Sequence, residues 1–291
     1  MSEFFLELFS EEIPTGLQKN LREKILEDFK NLFKEKSINS KKNFSFSTPN
    51  RLVVVFEGLD KQIKIKSKEI RGPKTSAPNQ ALEGFLRSNK IDKKNLFKKK
   101  TEKDEFYFYK TEATSLKTHD LLTEFIPKIL SNYQWKKSMK WGEFDLNWGR
   151  PLKSILSIFE KKIISFKFHH LVSSNQTFLD QDFEDKKKTF DNFRNYEKFF
   201  ENNGVIINQN KRLKIINKSF SKILRKKGLK IHENRKLMDE VLDLIDNPNV
   251  LLCKFDNKFL SVPKEILILT MESHQKYFPT FNNKDELRMN F

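Results

Sequence analysis

The sequence predicts an α+β fold in two or more subdomains, with helical content rising after residue 190. Strand-like and helix-like segments occur in blocks, without the regular βαβ alternation of a parallel sheet. The chain has 291 residues, enough for about two domains. We expect a mixed α/β region over residues 1–180, with an inner boundary near 75–115. A helix-rich region that closes with a strand–helix unit should follow over residues 190–291.

The first elements are a buried strand and an amphipathic helix. Phe4–Phe9 is a short apolar run, and Pro14 suits the first turn of a helix. Apolar residues at helical spacing then predict a helix over Leu17–Phe33. Further strands are predicted over Phe44–Phe46, Arg51–Leu59 and Ile63–Ile70, the last ended by a turn at Arg71-Gly72-Pro73.

The middle of the chain continues with both kinds of element. The patterns predict a helix over residues 79–90, a strand over Phe106–Ala113, a helix over Leu116–Tyr133 and two strands joined near Glu160-Lys161. The second of these two strands contains His169-His170, so the two rings should point to opposite faces and cannot both ligate one ion in the usual way.

The last part of the chain is dominated by helices. These are predicted over Phe193–Asn202, Lys211–Lys227, Glu233–Ile245 and from Pro263 to about Glu272. One apolar strand, Val250–Phe255, contains the single cysteine, Cys253, which we expect to be a buried structural thiol.

Composition excludes several classes of protein. The apolar fraction of 37% is enough to build cores, which excludes full disorder. One cysteine excludes an intrachain disulfide and a cysteine-based zinc site. No apolar run approaches the roughly 18 residues of a membrane span, and the acidic N-terminus is unlike a secretory signal. We therefore expect a soluble cytoplasmic protein without a membrane partner.

The positive charge is concentrated in two blocks. The chain has 56 Lys and Arg against 39 Asp and Glu, a net charge of +17. Residues 36–110 carry +11 and residues 181–236 carry +9, whereas residues 1–35 and 237–291 each carry −3. Such blocks are typical of a protein that binds a polyanion, most plausibly nucleic acid. A solvated lysine surface is the alternative.

Catalytic motifs are absent from the sequence. No two glycines are two residues apart, which excludes Gly-x-Gly nucleotide loops, and the Walker A, H-E-x-x-H and G-x-S-x-G patterns do not occur. His119-Asp120 resembles the dipeptide of metal-dependent phosphohydrolases, but further ligands are lacking. We therefore predict neither catalytic residues nor a metal site in this chain.

Several phrases are more specific than composition. FFLELFSEEIP (4–14) is similar to "LLxEIGTEELP", the opening of the β subunit of bacterial heterotetrameric glycyl-tRNA synthetase. Further phrases follow in the family's order: STPNRLVV (47–54) for "TPRRLA", IRGP (70–73) for "RGP", ALEGFLRSNKI (81–91) for "AxxGFxRxxGI", and MKWG (139–142) with GRP (149–151) for "MRWG…RP". The longest is NPNVLLCKFDNKFLSVPKEILILTMESHQKYFPTF (247–281), which includes the family's "QKYFP".

The resemblance implies a division of labour between subunits. The family's α subunit carries the active site, with ATP and Mg, while the β subunit contributes mainly tRNA binding within an α2β2 tetramer. This chain should then bind no cofactor of its own. The family's β subunit is more than twice as long, so we expect an N-terminal portion truncated at Phe291. One departure is that LDQDF (179–183) follows SSNQT where the family has "GHRF".

The candidate tRNA-binding residues are cations at turns or on one strand face, together with one mixed tetrapeptide. Loop arginines can bind phosphate bidentately, or can tie loop carbonyls together. Strand lysines can follow an RNA backbone, or form a solvated face. The set is Arg51, Lys64, Lys66, Lys68, Arg71, Lys98, Lys99, Arg150, Gln275, Lys276 and Tyr277. The last three can stack on and hydrogen-bond an unpaired base, although Tyr277 and Phe278 suit a core equally.

Three hypotheses follow. The chain binds tRNA and the α subunit, or it is a stand-alone RNA-binding module, or it docks the α subunit without touching tRNA. Glycine as the amino acid rests on the resemblance alone.

Overall fold

The computed structural model describes residues 2–65, 67–101, 104–179 and 187–291. It confirms the α+β prediction, with helices and antiparallel sheets mixed along the chain. Helices and strands are numbered in chain order. The described helices are α1 Thr15–Glu35, α2 Asn79–Asn89, α3 Thr118–Ser131, α4 Phe193–Asn202, α5 Gln209–Lys227, α6 Arg235–Leu244 and α7 Lys264–Leu269. Short 3-10 turns span Lys93–Asn95 and Asn257–Ser261, and a π-helical turn spans Thr270–Gln275.

Most of the described strands precede α4, which is why helical content rises after residue 190. They are β1 Glu3–Ser10, β2 Lys42–Thr48, β3 Arg51–Glu57, β4 Gln62–Ile65, β5 Glu69–Lys74, β6 Leu96–Lys100, β7 Glu105–Lys110, β8 Thr114–Lys117, β9 Leu152–Phe159, β10 Lys162–Ile163, β11 Lys167–Phe168, β12 Leu171–Val172, β13 Gln176–Phe178, β14 Lys187–Thr189, β15 Lys230–Ile231 and β16 Thr280–Phe281.

The chain forms two compact units. The main unit comprises residues 1–59 and 122–291, and the inserted unit comprises residues 60–121. The predicted division between residues 1–180 and 190–291 stays a prediction, and most of the connection between them lies outside the described residues.

The main unit is built on a five-stranded antiparallel sheet in the order β10-β9-β1-β3-β2. The central strand β1 lies between β3 and β9, and residues 4–10 are all buried. On one face, α1 packs its apolar stripe against the sheet, with the Phe29 ring 5.2 Å from Phe4 and the Phe33 ring 4.9 Å from Phe56. The predicted buried strand and the predicted amphipathic helix are therefore both confirmed, and the structure shows that they pack on each other.

The opposite face of this sheet is covered by α4. Tyr196 and Phe200 of α4 are fully buried in one cluster with Phe5, Val53 and Leu156 of the sheet. The ring centroids of Phe5 and Tyr196 are 4.8 Å apart in an edge-to-face arrangement. The central strands are thus buried on both faces, and this explains their continuous apolar runs.

A charged pair lies inside this second face. Glu7 is fully buried and Arg51 is 2% exposed, with 3.1 Å between Arg51 Nε and Glu7 Oε1. The Tyr196 hydroxyl donates to the same carboxylate oxygen at 2.5 Å. The guanidinium carbon of Arg51 lies 4.5 Å from the ring centroids of both Phe9 and Phe200. Burial raises the pKa of Glu7, while Arg51 acts to lower it.

Two further polar links hold the C-terminal helices to the sheet. Arg212 of α5 is fully buried and donates to the carbonyls of Ser47, at 2.8 Å, and Leu242, at 3.0 Å. Burial lowers the pKa of Arg212 to about 10. Arg22 of α1 lies 3.0 Å from Asp243, whose carbonyl also accepts from the buried Gln18 at 2.7 Å.

The inserted unit contains a three-stranded antiparallel sheet, β5-β7-β6, a two-stranded sheet, β4-β8, and helix α2. The predicted strand Ile63–Ile70 is divided between β4 and β5. The predicted turn at Arg71-Gly72-Pro73 is wrong, since these residues lie within β5. Because β5 is an edge strand with a register shift between Arg71 and Lys74, it accommodates a proline that donates no hydrogen bond.

Three predictions near the C-terminus are also corrected. Val250–Phe255 is not a strand, because its backbone pairs only through Cys253 and Phe255 with the last residues of the chain. Cys253 is exposed rather than buried, and Leu251 is 69% exposed. The predicted helix from Pro263 is divided into α7 and the π-helical turn.

The two adjacent histidines do not lie in one strand. His169 and His170 form the turn between β11 and β12, where His169 has a φ of 52°. The strand-face prediction for these rings is therefore wrong.

No helix in the described part of the chain is long and apolar enough to cross a membrane.

Replacing Arg51 by methionine tests the buried pair. Arg51→Met leaves Glu7 buried without its cation, so the unfolding free energy at neutral pH should fall by about 3 to 5 kcal/mol. Without Arg51 the folded-state pKa of Glu7 rises further above its ordinary 4.5. The variant's stability should therefore fall as the pH rises from about 4.5 through that raised value.

Chemical denaturation at a series of pH values measures this effect. The double variant Glu7→Gln/Arg51→Met is the control, since it lacks the buried carboxyl and should lack the additional pH dependence. Identical pH profiles for the two variants would contradict the assigned pairing.

Candidate nucleic-acid interface

The β5-β7-β6 sheet of the inserted unit brings several predicted cations together. Phe97 of β6 lies directly opposite Phe108 of β7, and Arg71 of β5 lies opposite Phe108 on its other side. Successive side chains of a strand point to opposite faces. Phe97, Lys99, Arg71, Phe106 and Phe108 therefore share one face, which we call the stacking face.

Cation–ring contacts confirm that these residues share a face. The guanidinium carbon of Arg71 lies 3.6 Å from the ring centroid of Phe106. Lys99 Nζ lies 5.7 Å from the Phe108 centroid and 2.9 Å from the Glu69 carboxylate. Both side chains of this ion pair are about half exposed, so it contributes roughly 0–1 kcal/mol. Lys99 can therefore exchange this partner for a phosphate at little cost in free energy.

The opposite face of the same sheet is also basic. Lys98 lies 5.9 Å from the Tyr107 ring centroid and 4.0 Å from the Glu105 carboxylate, with its side chain 58% exposed. On this side α2 packs on β5, because an atom added at Gly72 would lie 2.9 Å from the Phe85 ring. Gly72 thus allows the close approach that holds Arg71 beside Phe106.

The remaining lysines predicted in this unit lie on β4 or shortly after it. Lys64 lies in β4 in register with Ser115, and Lys66 lies outside the described residues. Lys68 is exposed, and its backbone N–H donates to Thr111 Oγ1 at 2.8 Å. The whole inserted unit has 16 Lys and Arg against 9 Asp and Glu, a net charge of +7 in 62 residues.

Arg51 and Arg150 lie in the main unit. The contacts of Arg51 with Glu7 and with the carbonyls of Phe178 and Leu179 are those of the structural alternative, an arginine that ties the chain together. Its burial leaves no guanidinium edge for a ligand. Arg150 is half-buried and donates to the Gly149 carbonyl at 2.7 Å.

Arg150 lines a cleft of about 490 Å³ with Glu11, Glu12 and Pro49. Backbone hydrogen bonds build this cleft: Glu11 N–H donates to the Pro151 carbonyl at 3.0 Å, and Ile13 N–H to the Pro49 carbonyl at 2.7 Å. Three of the phrases that carry the family resemblance, at residues 4–14, 47–54 and 149–151, therefore meet in one place. The cleft is lined by one cation, Arg150, and by three carboxylates, Glu11, Glu12 and Asp243, so it is not a basic surface.

The tetrapeptide Gln275–Phe278 follows the π-helical turn. Lys276 adopts a left-handed conformation with φ 60° and places its Nζ 2.9 Å from the Glu240 carboxylate of α6. Tyr277 is 43% exposed, with its ring centroid 4.6 Å from that of Phe291. Phe278 packs on Phe220 at 5.1 Å. Tyr277 and the exposed Gln275 thus remain open to a ligand, whereas Lys276 already has a partner.

Sequence reasoning missed the aromatic half of the stacking face. Phe97, Phe106 and Phe108 were not among the predicted contacts, nor was Lys74, which lies 6.0 Å from the Phe106 centroid. The available signal was the alternation of rings and cations in LFKKK (96–100) and EFYFYK (105–110). It becomes informative only once the register pairs the two segments.

The remaining predictions concern metals and the "GHRF" departure. Among the described residues, no three His, Cys, Asp or Glu side chains gather as a metal site would require. Of the segment LDQDF, only Leu179 is described, and residues 180–183 lie outside the described residues.

The sequence comparisons give a consistent result. Residues 4–291 match the family described as "Glycyl-tRNA synthetase beta subunit". The chain is 37% identical over 285 residues to the glycine--tRNA ligase beta subunit of Rickettsia bellii (strain OSU 85-389), covering 98% of this chain and 43% of that protein. It is 36% identical to the corresponding protein of Rickettsia felis, covering 100% and 44%, and 38% identical to that of Rickettsia conorii, covering 97% and 42%.

The chain therefore spans less than half the length of the curated relatives that it matches. The phrases quoted above lie within the matched residues 4–291, so the resemblance deduced from them is confirmed.

Glycine 72 provides a test of how the stacking face is positioned. Gly72→Ala brings a methyl group against the Phe85 ring and should destabilise the inserted unit by about 1 to 3 kcal/mol. Gly84→Ala in α2 is the matched control, because no atom lies within 4 Å of the added carbon. Alanine there should stabilise the helix by roughly 0.5–1 kcal/mol. Hydrogen exchange at the β7 amides reads out both changes, and equal effects at the two glycines would contradict the packing described.

Proposed function

The chain belongs to the glycyl-tRNA synthetase beta subunit family, and from this premise we propose that it is the tRNA-binding and assembly part of a glycine–tRNA ligase. A separate α subunit would bind ATP and Mg²⁺ and attach glycine to the tRNA, within an α2β2 tetramer in the cytoplasm. This chain would contribute no catalytic group and no cofactor. Its role is to hold the RNA and to bring it to the partner.

The proposal that the chain binds RNA rests mainly on the positive charge of the inserted unit. Its net charge of +7 in 62 residues is a higher density of positive charge than the +10 spread over the other 229 residues. The ion pairs that Lys74, Lys98 and Lys99 make are all largely exposed, so they compete weakly with phosphate. Release of counterions from the RNA would then supply much of the affinity.

Most of the proposed contacts are among the predicted ones. Lys68, Arg71, Lys98 and Lys99, with Lys64 and Lys66, would contact RNA through the inserted unit, and we add the exposed Lys100, the last residue of β6. Gln275 and Tyr277 form a second proposed patch on the main unit. Arg51 is excluded from both because it is buried, and Arg150 faces carboxylates.

Charge reversal on β6 tests the proposal. Lys98→Glu/Lys99→Glu/Lys100→Glu should weaken binding to glycine tRNA and reduce the slope of log affinity against log salt by up to about 3. The matched control is Lys24→Glu/Lys30→Glu/Lys34→Glu, which makes the same change of charge on exposed residues of α1. Fluorescence anisotropy across a salt series measures both.

An equal loss of affinity in the two triple variants would show that only net charge matters. No binding of tRNA by the unmodified chain would leave the assembly role alone.

A second candidate function, docking of the α subunit, is favoured by exposed apolar residues in one segment of the main unit. Leu251 is 69% exposed, Ile266 54% and Leu269 57%. Leu251 also lines an apolar groove of about 590 Å³, together with Tyr277 and Phe291. Single exposed apolar residues are ordinary, but several in one segment, one of them lining an apolar groove, are typical of a protein interface. A beta subunit has an α subunit as its expected partner.

Leu251→Asp/Leu269→Asp should abolish co-elution with the α subunit while leaving the fold intact, because both side chains are already exposed. Val172→Asp is the matched control, since Val172 is 63% exposed on β12. Size-exclusion chromatography with purified α subunit measures the result. Retained co-elution in the double variant would place the interface elsewhere, and failure of the unmodified chain to co-elute would favour a stand-alone RNA-binding module.

A further inference from the structure

The stacking face carries more than positive charge. Phe97 and Phe108 lie opposite each other on β6 and β7, with ring centroids 6.0 Å apart and planes inclined by 26°. Phe97 is 37% exposed, whereas Phe106 on the same face is buried beneath Arg71. Phe97 therefore offers one accessible aromatic ring, and the neighbouring Phe108 ring packs against it.

Two cations share the stacking face with this ring. Lys99 follows Phe97 on the same face, and its ammonium reaches both the Phe108 ring and Glu69. Arg71 lies on the other side of β7, against the Phe106 ring. Charge alone would bind any RNA backbone, but such contacts do not need an exposed aromatic ring. An exposed ring that shares a sheet face with two cations suits a ligand that has both a flat π-face and phosphates.

We propose that the stacking face binds an unpaired RNA nucleotide, with its base stacked on Phe97 and its neighbouring phosphates held by Lys99 and Arg71. This inference rests on the proposed RNA-binding function and specifies the part of the RNA that the inserted unit recognises. A base within a duplex stacks on its neighbours and offers no free face, so single-stranded RNA is the chemistry that fits.

The alternative is that Phe97 and Phe108 only cover each other and bind no ligand. The two alternatives predict different effects of removing the Phe97 ring on the affinity for single-stranded and duplex RNA. Stacking loss affects only RNA with unpaired bases, whereas a structural role affects every RNA equally or none.

The experiment uses the full chain, a short labelled single-stranded RNA and a blunt-ended RNA duplex. Phe97→Ala should weaken single-strand binding about five- to hundred-fold and leave duplex binding nearly unchanged. Phe97→Trp should restore single-strand binding, because it keeps an aromatic platform. Leu116→Ala is the matched control, an apolar residue of β8 that is 45% exposed in the same unit.

The outcomes separate this inference from the proposed function. If Phe97→Ala changes neither RNA or both equally, while the triple charge reversal on β6 weakens both, stacking is refuted and RNA binding stands. If the unmodified chain binds neither RNA, the proposed RNA contact fails together with this inference. Thermal unfolding of each variant shows that the fold is retained.

Discussion

The buried contact between Glu7 and Arg51 is the constraint on which the main unit depends. A carboxylate and a guanidinium lie inside a sheet that is covered on both faces, and Tyr196 of α4 completes the arrangement. Each charged group would be costly to bury without the other. The contact therefore holds β1, β3 and α4 in one fixed arrangement. Arg51 also reaches the carbonyls of Phe178 and Leu179, which attaches the chain after β13 to the same centre.

The C-terminal helices extend this arrangement through a second set of buried polar contacts. Arg212 joins α5 to β2 and to α6, while Arg22 and Gln18 of α1 join α6 through Asp243. Because these links fix backbone carbonyls, they hold the helices in place without requiring a continuous apolar face. Leu251 and, on α7, Ile266 and Leu269 lie outside these contacts and are largely exposed.

Much of the fold could be predicted from periodicity, and less of the candidate site. The helical spacing of Leu21, Ile25 and Phe29 gave α1, and the apolar run of β1 gave a buried strand. The position of Arg51 beside a turn allowed the role of tying carbonyls together as one of two alternatives, but its pairing with Glu7 was not predicted, although a lone Glu7 in an apolar strand signals a buried cation. Arg71-Gly72-Pro73 reads as a turn locally, yet an edge strand with a register shift accepts it. The stacking face required the pairing of two distant segments, which no single segment contains.

The central proposal is that the inserted unit makes the main RNA contacts, with Gln275 and Tyr277 of the main unit as a second patch, while exposed apolar residues of the main unit contact the α subunit. Hydrogen exchange of the full chain with and without glycine tRNA tests this claim most directly. The account predicts slower exchange on tRNA binding in β5, β6 and β7, with little change in the main sheet. Protection confined to the main unit, with the inserted unit unaffected, would contradict it.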